Sequence, residues 1–324
     1  MMIVVASIAF VVAVLCAGLM GYAIQRGATC TVAAIDEIVS ERSGRRLLSL
    51  FEAALWVGGG LVVAQSLRLL PQMPQGYAAT IWTVIGGVLL GLGAFVNGAC
   101  VFGAIARLGS GEWSYVFTPV GFFVGCLSVT PLFGAPAPRP LSDISPVLRA
   151  PAWIAALFVA FALWRIARPW LRRDRDAGKP WHALLAAHVW SPHAATTVIG
   201  LTFVLLLLLV GGWAYTDVLA ELAHGMSASV GARALLLVAL LIGAMLGGWT
   251  AGLLRHTGLS PSRVAGCVAG GVLMGWGSLL LPGGNDVLIL VGMPLAWPSA
   301  WLAFATMCVT IACAQLAHRR WRRR

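Results

Sequence analysis

Long apolar segments, separated by short polar ones, extend along almost the whole chain. Nine of them are long enough to cross the hydrocarbon core of a bilayer, about 30 Å thick, as α-helices. Their approximate bounds are residues 2–24, 47–69, 81–105, 113–133, 151–167, 196–214, 231–254, 264–281 and 298–317. The regular alternation of apolar and polar residues that is typical of membrane β-barrels does not occur in the sequence. The pattern predicts an all-α polytopic membrane protein of about nine transmembrane helices.

Composition and charge support this prediction and orient the helices. Of the 324 residues, 60% are hydrophobic and 10% are charged, whereas about 25% of the residues of a soluble domain are charged. The net charge is +11, and the basic residues cluster beside apolar segments, as they do in cytoplasmic loops. Outside these clusters no basic face with interleaved aromatic residues occurs, so we expect no nucleic-acid partner. The clusters are residues 41–46, 165–179, 255–263 and 318–324.

Placing all four clusters in the cytoplasm puts the N-terminus outside and the C-terminus in the cytoplasm. The proline-rich segment 131–151 and the segment 216–229 are then predicted to be outside.

The second half of the sequence repeats the first at a constant spacing. Gly86–Gly93 reads GGVLLGLG, and Gly270–Gly277, 184 residues later, reads GGVLMGWG. The same spacing relates Trp113 to Trp297. An odd number of predicted crossings separates equivalent helices, so the two copies are predicted to have opposite orientations in the membrane. Inverted repeats are typical of secondary transporters, whose substrate sites lie at the repeat interface.

The sequence thus predicts a single membrane domain of residues 1–324. The first repeat covers about residues 1–133, and residues 134–195 hold a connecting helix and a basic cytoplasmic loop. The second repeat covers about residues 196–317, and the basic tail is residues 318–324.

Four polar segments interrupt the apolar pattern. Backbone that is not helical is tolerated at membrane depth only where protein covers it or where it lines a wet cavity. The interruptions at Asn97–Cys100 and Pro282–Asp286 occupy equivalent positions in the two repeats, which indicates the substrate site of a transporter. Free N–H groups at the start of a half-helix also favour an anion. The four segments are Gln25–Cys30, Asn97–Cys100, Gly252–Gly258 and Pro282–Asp286.

The cysteine-bearing segments resemble those of a known transporter family. GYAIQRGATC, which ends at Cys30 and is followed by the acidic pair Asp36 and Glu37, and GGVLLGLGAFVNGAC, which ends at Cys100, are similar to motifs of the YeeE/YedE family of sulphur-transport inner-membrane proteins. GGVLMGWGSLLLPGGN is similar to that family's second copy. The resemblance implies an hourglass-like helix bundle with re-entrant loops, which imports thiosulfate across the bacterial inner membrane.

The resemblance also implies roles for individual residues. Cys30 and Cys100 correspond to the first two cysteines of a relay, and their weak S–H donors would pass the anion along a central pathway. The family's third cysteine is replaced by Gly284. Either Asn285 supplies the missing donor, or two thiols suffice, or the cargo differs from thiosulfate. A small cytosolic sulphur-carrier protein is implied as a partner.

The predicted substrate pathway consists of Cys30, Cys100, Arg26, Asn97, Gly98, Gly284 and Asn285. Arg26 either attracts the anion, holds a loop or extends to the membrane interface, and Asn97 either donates to the cargo or caps a broken helix. An ionised Asp286 would repel a dianion unless it lies at the outer surface. Glu52 either takes part in proton coupling or faces water, and the other five cysteines are expected to pack between helices.

A membrane-embedded thiol redox or copper-delivery protein is the alternative, because Cu(I) favours cysteine ligands. The sequence has no CxxC pair and no Met-rich motif, which argues against this alternative. It also has no GxxxxGK[ST] phosphate-binding loop. We therefore expect a transport protein rather than an enzyme, with no cofactor and no resident metal.

Overall fold

The computed structural model describes residues 2–70, 73–134, 139–141, 145–171, 190–225, 230–255, 257–281 and 283–322. This part of the chain is helical and contains no strand. Two short 3₁₀ turns, Trp113–Val116 and Pro146–Arg149, precede α6 and α7. The helices are α1 (Met2–Arg26), α2 (Thr31–Glu41), α3 (Arg45–Ser66), α4 (Ile81–Asn97), α5 (Val101–Gly109), α6 (Phe117–Phe133), α7 (Ala152–Leu171), α8 (Pro192–Val210), α9 (Tyr215–Ala223), α10 (Val230–Thr250), α11 (Pro261–Leu280), α12 (Asn285–Val287, continued by a π-helical turn, Leu288–Gly292) and α13 (Pro298–Arg322).

Eight helical stretches of the described residues are long and apolar enough to cross a membrane. Many of their exposed side chains are large and apolar, such as Leu15 and Leu55, which suits contact with lipid. The prediction of an all-α polytopic membrane protein is therefore confirmed. The remaining predicted span, residues 151–167, forms α7, whose apolar part Ala152–Arg165 is shorter than these eight stretches. The number of crossings therefore stays a prediction. The eight stretches are Ser7–Glu41, Arg45–Ser66, Ile81–Gly109, Trp113–Phe133, Pro192–Val210, Gly231–Thr250, Pro261–Leu280 and Pro298–Arg322.

The helices of the second half follow those of the first at the spacing found in the sequence. α2 begins at Thr31 and α9 begins at Tyr215, 184 residues later. Cys100 precedes α5 and Gly284 precedes α12 with nearly the same backbone angles, φ −74° and ψ −178° against φ −72° and ψ 179°. The helices α1 to α6 thus correspond in order to α8 to α13. We propose that these two sets of helices are the two repeats.

The two sets of helices interlock. α1 packs on α10 and α6 packs on α11, and the corresponding contacts of α8 with α3 and of α13 with α4 also occur. One hydrophobic cluster includes buried side chains of both halves. Neither half therefore buries its apolar surface alone.

Glycines bring the centre of α4 and the centre of α11 into close contact. A Cβ atom on Gly93 would lie 2.7 Å from the carbonyl oxygen of Gly270, and one on Gly277 would lie 2.7 Å from that of Gly86. The start of each helix therefore touches the end of the other, so the two helices are antiparallel. Small residues of this kind let helix backbones pack tightly in membranes. Because α11 is the proposed copy of α4, the antiparallel contact supports opposite orientations of the repeats.

The structure differs from the predicted helices at three places. The predicted span 81–105 is broken after Asn97, because Gly98 adopts a left-handed conformation with φ +74°. The predicted span 196–214 ends at Val210, where Gly211 has φ +82°. The segment 216–229, predicted as an outside loop, instead contributes to helix α9, whose first residues are buried. Most of the basic loop at 165–179 lies outside the described residues.

We expect Gly93→Val to destabilise the protein by about 1–3 kcal/mol, because the new side chain would overlap Gly270 and Met274 across the α4–α11 contact. The matched control is Leu92→Val, which changes a neighbouring side chain that is 38% exposed. The measurement is the thermal unfolding midpoint of the purified proteins in detergent. Equal midpoints for the two variants would contradict the close helix contact.

Candidate functional site

The first helix break joins α1 to α2. α1 ends at Arg26, and Cys30 has the extended backbone of a residue that starts a helix, with φ −158° and ψ 128°. Gly27 lies against α8, since a Cβ atom there would be 2.3 Å from the Cβ of Ala195. The turn thus packs closely against α8, and it places Cys30 immediately before α2.

The second helix break joins α4 to α5. Asn97 is the last residue of α4, Gly98 turns the backbone, and Cys100 starts α5. The Asn97 side chain is fully buried, and its Nδ2 donates to the carbonyl oxygen of Ala99 over 2.7 Å. Its Oδ1 accepts a hydrogen bond of 2.9 Å from the Thr118 hydroxyl. Asn97 therefore satisfies the backbone of the broken helix, which is the capping alternative of the two predicted roles.

The two breaks bring the thiols of Cys30 and Cys100 together. The two side chains interact directly through a hydrogen bond, and the Cys100 sulphur also accepts the N–H of Thr31 over 3.2 Å. Gly103 makes room for this arrangement, because a Cβ atom there would lie only 2.4 Å from the Cys30 sulphur. Cys100 is fully buried, while Cys30 is only partly buried. The thiol pair thus has one inner and one more accessible member.

A cavity of about 480 Å³ opens beside Cys30. The oxygen atoms Oε1 of Gln25 and Oε1 of Gln315 are buried and accept no hydrogen bond from the described residues. Three arginines give the cavity a positive wall. Its lining includes Gln25, Arg26, Cys30, Asp36, Arg46, Gly98, Gly103, Arg107, Ser110 and Gln315.

Arg26 lies inside the protein. Its side chain is 1% exposed and donates from Nη2 to the hydroxyls of Tyr22 and Thr250, each over 2.8 Å. The alternative that Arg26 extends to the membrane interface is therefore wrong, because the guanidinium is held between α1 and α10. Arg26 also lines the cavity.

The equivalent break in the second half has different chemistry. Gly284 precedes α12 at the position that corresponds to Cys100, and Asn285 and Asp286 follow it in buried positions. Asp286 Oδ1 accepts a hydrogen bond of 2.5 Å from the hydroxyl of Thr216, and its Oδ2 accepts the N–H of Thr216 over 3.2 Å. The alternative that Asp286 lies at the outer surface is wrong, because this carboxyl is 2% exposed and enclosed by α9 and α12.

The surroundings of Gly284 are crowded. A Cβ atom on Gly284 would lie 2.5 Å from the Thr216 hydroxyl oxygen and 2.7 Å from Asp286 Oδ1. The bonded pair of Thr216 and Asp286 thus occupies the space that a side chain at Gly284 would need.

The break before α5 and the break before α12 adjoin each other. The short helices α5 and α12 are in contact, and Tyr215 lies close enough to Cys100 and Asp286 to interact electrostatically with both. The two breaks of the first half bring Cys30, Cys100 and Gly98 to the region of the cavity, and Arg26 lies in the cavity wall. Gly284 and Asn285 lie at the break before α12, in the second half.

The remaining five cysteines lie on α1, α6, α11 and α13, the last of which carries two. Among the residues that the structure describes, no group of three or more His, Cys, Asp or Glu side chains is placed to hold a metal ion. Three of these cysteines are buried and two are more accessible, in the order Cys16, Cys126, Cys267, Cys308 and Cys313.

Glu52 forms a cluster away from both helix breaks. Its Oε1 accepts a hydrogen bond of 3.3 Å from Arg165, and its Oε2 contacts Nδ1 of His193. The Glu52 side chain is 15% exposed, so it is held mainly by these contacts between α3, α7 and α8.

Sequence reasoning gave no role to Thr216 or Tyr215. The constant spacing held a signal for them, because it relates Cys30 to Ala214, immediately before these two residues. It held no signal for the direct contact of Thr216 with Asp286, which depends on how α9 packs against α12.

Comparison with known families gives one match. A protein-family model described as sulphur transport matches residues 26–313 of the chain. The match includes both helix breaks of the first half and those of the second. None of the curated proteins matches the chain.

We expect Gly103→Ala to slow formation of a disulphide between Cys30 and Cys100 by about tenfold or more, because the new methyl group displaces the Cys30 sulphur. The assay oxidises a variant that retains only these two cysteines with diamide and follows the product by mass spectrometry. Gly258→Ala is the control, since no atom lies within 4 Å of a Cβ built there. Equal rates in the two variants would show that Gly103 does not position the thiol.

Proposed function

The chain belongs to the sulphur-transport family YeeE/YedE, and from this premise we propose that it imports thiosulfate through the region of its helix breaks. The family and the apolar helices together make it a multi-pass membrane transporter of a sulphur compound. The observation that carries the finer proposal is the pair of neighbouring thiols, Cys30 and Cys100, at the inner end of a positively charged cavity.

Thiols suit the terminal sulphur of thiosulfate. An S–H group is a weak and soft donor, so it binds a soft acceptor without holding it tightly. A conducting site must bind the ion well enough to admit it and weakly enough to release it. In the proposed mechanism the terminal sulphur passes between Cys100 and Cys30, one of them buried and the other bordering the cavity.

The charge of a dianion must be balanced while it is out of water, because desolvation of an unpaired charge is very costly. Arg26, Arg46 and Arg107 border the cavity. Arg46 and Arg107 also pair with Glu37 and Glu112, which lowers the net positive charge at the mouth. Arg26 is the most deeply buried of the three arginines, and we assign it the main electrostatic role.

Asn97, Gly98, Gly284 and Asn285 have supporting roles in this proposal. Asn97 and Gly98 end α4 and so stabilise the break before α5, as the Asn97 hydrogen bond and the Gly98 backbone angle indicate. Gly284 accommodates the bonded pair of Thr216 and Asp286 at the break before α12. The amide of Asn285 supplies a donor where related proteins carry a third cysteine.

We place the protein in the bacterial inner membrane, with the cavity and the C-terminus on the cytoplasmic side. The support is the basic character of residues 41–46 and of the C-terminal end of α13, both typical of cytoplasmic segments. A small sulphur-carrier protein at this cytoplasmic face would remove the imported sulphur and so favour further uptake. A soft-metal carrier is less well supported, because its ligand cluster is not found in the described part of the chain.

Cys100→Ala is expected to lower thiosulfate uptake about 10- to 100-fold, the effect of losing one hydrogen bond to a charged group worth about 1.5–3 kcal/mol. Cys100→Ser keeps a donor and should retain more activity. The measurement is initial uptake of labelled thiosulfate into proteoliposomes. Cys126→Ala is the control, since Cys126 is also buried but packs between α6 and α11. Near-normal uptake by Cys100→Ala would refute the assigned role.

We also expect unlabelled thiosulfate to compete strongly with the labelled ion, and an equal excess of sulfate to compete weakly. Sulfate has a similar charge but no terminal sulphur for the thiols to recognise. The same proteoliposomes serve for this competition assay. Equal inhibition by both ions would contradict recognition of the terminal sulphur and would show that the site selects its substrate by charge.

A further inference from the structure

Asp286 is a carboxylic acid enclosed within the second half of the protein. It lies at the start of α12, outside the eight long apolar helical stretches, and is 2% exposed. Both of its oxygens accept hydrogen bonds from Thr216, which is itself 1% exposed. The carboxyl therefore has a fixed position and is shielded from bulk water.

The surroundings of Asp286 provide little positive charge. Among the described residues, no basic side chain forms an ion pair with it, and Arg233 of α10 pairs instead with Glu221 of α9. The other titratable neighbours are Tyr215 and Asp217 of α9 and Cys100 before α5, none of them a cation. Burying an unpaired carboxylate is costly, so such groups tend to hold a proton.

Asn285, next to Asp286, adds unused hydrogen-bonding capacity. It is 1% exposed, and neither Oδ1 nor Nδ2 of its amide has a partner among the residues described. A buried polar group left in this state costs about 1–3 kcal/mol, which indicates that a ligand or water completes it. The amide nitrogen offers two donors, and a protonated Asp286 would offer one more.

Asp286 makes a contact in the second half that resembles the contact of Cys100 in the first, but at shifted positions, because the constant spacing relates Thr31 to Tyr215 and Cys100 to Gly284. The N–H of Thr31, at the start of α2, donates to the Cys100 sulphur over 3.2 Å. The N–H of Thr216, in the first turn of α9, donates to Asp286 Oδ2 over the same 3.2 Å. α5 and α12 are in contact, and Tyr215 lies near both Cys100 and Asp286, so we extend the proposed pathway from Cys100 to this carboxyl.

We propose that Asp286 is the proton-binding residue of the pathway and that the anion passes it only while the carboxyl is protonated. This inference rests on the proposed function, since it requires an anion that uses this pathway. The neutral carboxyl, together with the amide of Asn285, donates hydrogen bonds to the oxygens of the anion. The ionised carboxylate has no proton to donate and repels the dianion.

The direction of the pH dependence follows from the environment of the carboxyl. Burial raises the pKa of Asp286 above its usual range, against the opposing effect of its hydrogen bonds from Thr216. Burial and the charges of Asp286 and Glu221 raise the pKa of Asp217 to about 7. A raised pKa keeps the neutral form to higher pH, so the permissive state exists at acidic pH and is lost as the pH rises through that pKa.

The test measures initial uptake of labelled thiosulfate by the full-length protein in proteoliposomes, with the pH inside and outside varied together from about 5 to about 9. Wild-type uptake should fall about tenfold per pH unit once the pH exceeds the pKa of one carboxyl. Asp286→Asn cannot ionise and keeps the shape of the neutral carboxyl. It should transport with less than about twofold change over the same range, while Asp286→Glu keeps a pH dependence.

Asp217→Asn is the matched control, because Asp217 is the neighbouring acid with a raised pKa. It should keep a pH dependence, moved to lower pH because one neighbouring negative charge is removed. A transporting Asp286→Asn variant with the wild-type profile, or loss of the pH dependence in Asp217→Asn alone, would overturn this inference and leave the proposed function standing. A wild-type protein without thiosulfate uptake at any pH would overturn both.

Discussion

The backbone N–H groups at the helix breaks must find acceptors inside the protein, because lipid offers none. The structure meets this constraint at the start of α2 and again in the first turn of α9. The acceptor is the thiol of Cys100 in the first case and the carboxyl of Asp286 in the second. Two chemically different side chains thus accept N–H groups at neighbouring, though not identical, positions of the two halves, and the geometry of the candidate site depends on both.

Small residues decide where functional side chains fit. At Gly103 the space of a side chain is taken by the Cys30 thiol, and at Gly284 it is taken by Thr216 and Asp286. The absence of a side chain at Gly284 and the position of the neighbouring acid are therefore two aspects of one local packing arrangement.

In the proposed mechanism, the two halves of the pathway differ in their response to the surroundings. The first half offers the paired thiols and a wall of arginines, which favour a soft anion. The second half offers Asn285 and Asp286, an amide and an acid that favour an anion only when the acid is neutral. A nearly symmetric backbone thereby supports an asymmetric route, with attraction on one side and proton control on the other.

The sequence alone determined the helical membrane class, because a chain in lipid must satisfy its backbone within helices. Its motifs identified Cys30 and Cys100, and its constant spacing indicated two copies. Only the tertiary structure decided that Asn97 caps the break, that Arg26 is buried and that Asp286 meets Thr216. Those contacts depend on how separate helices pack against one another, and hydrophobic periodicity along a single segment carries no information about that packing.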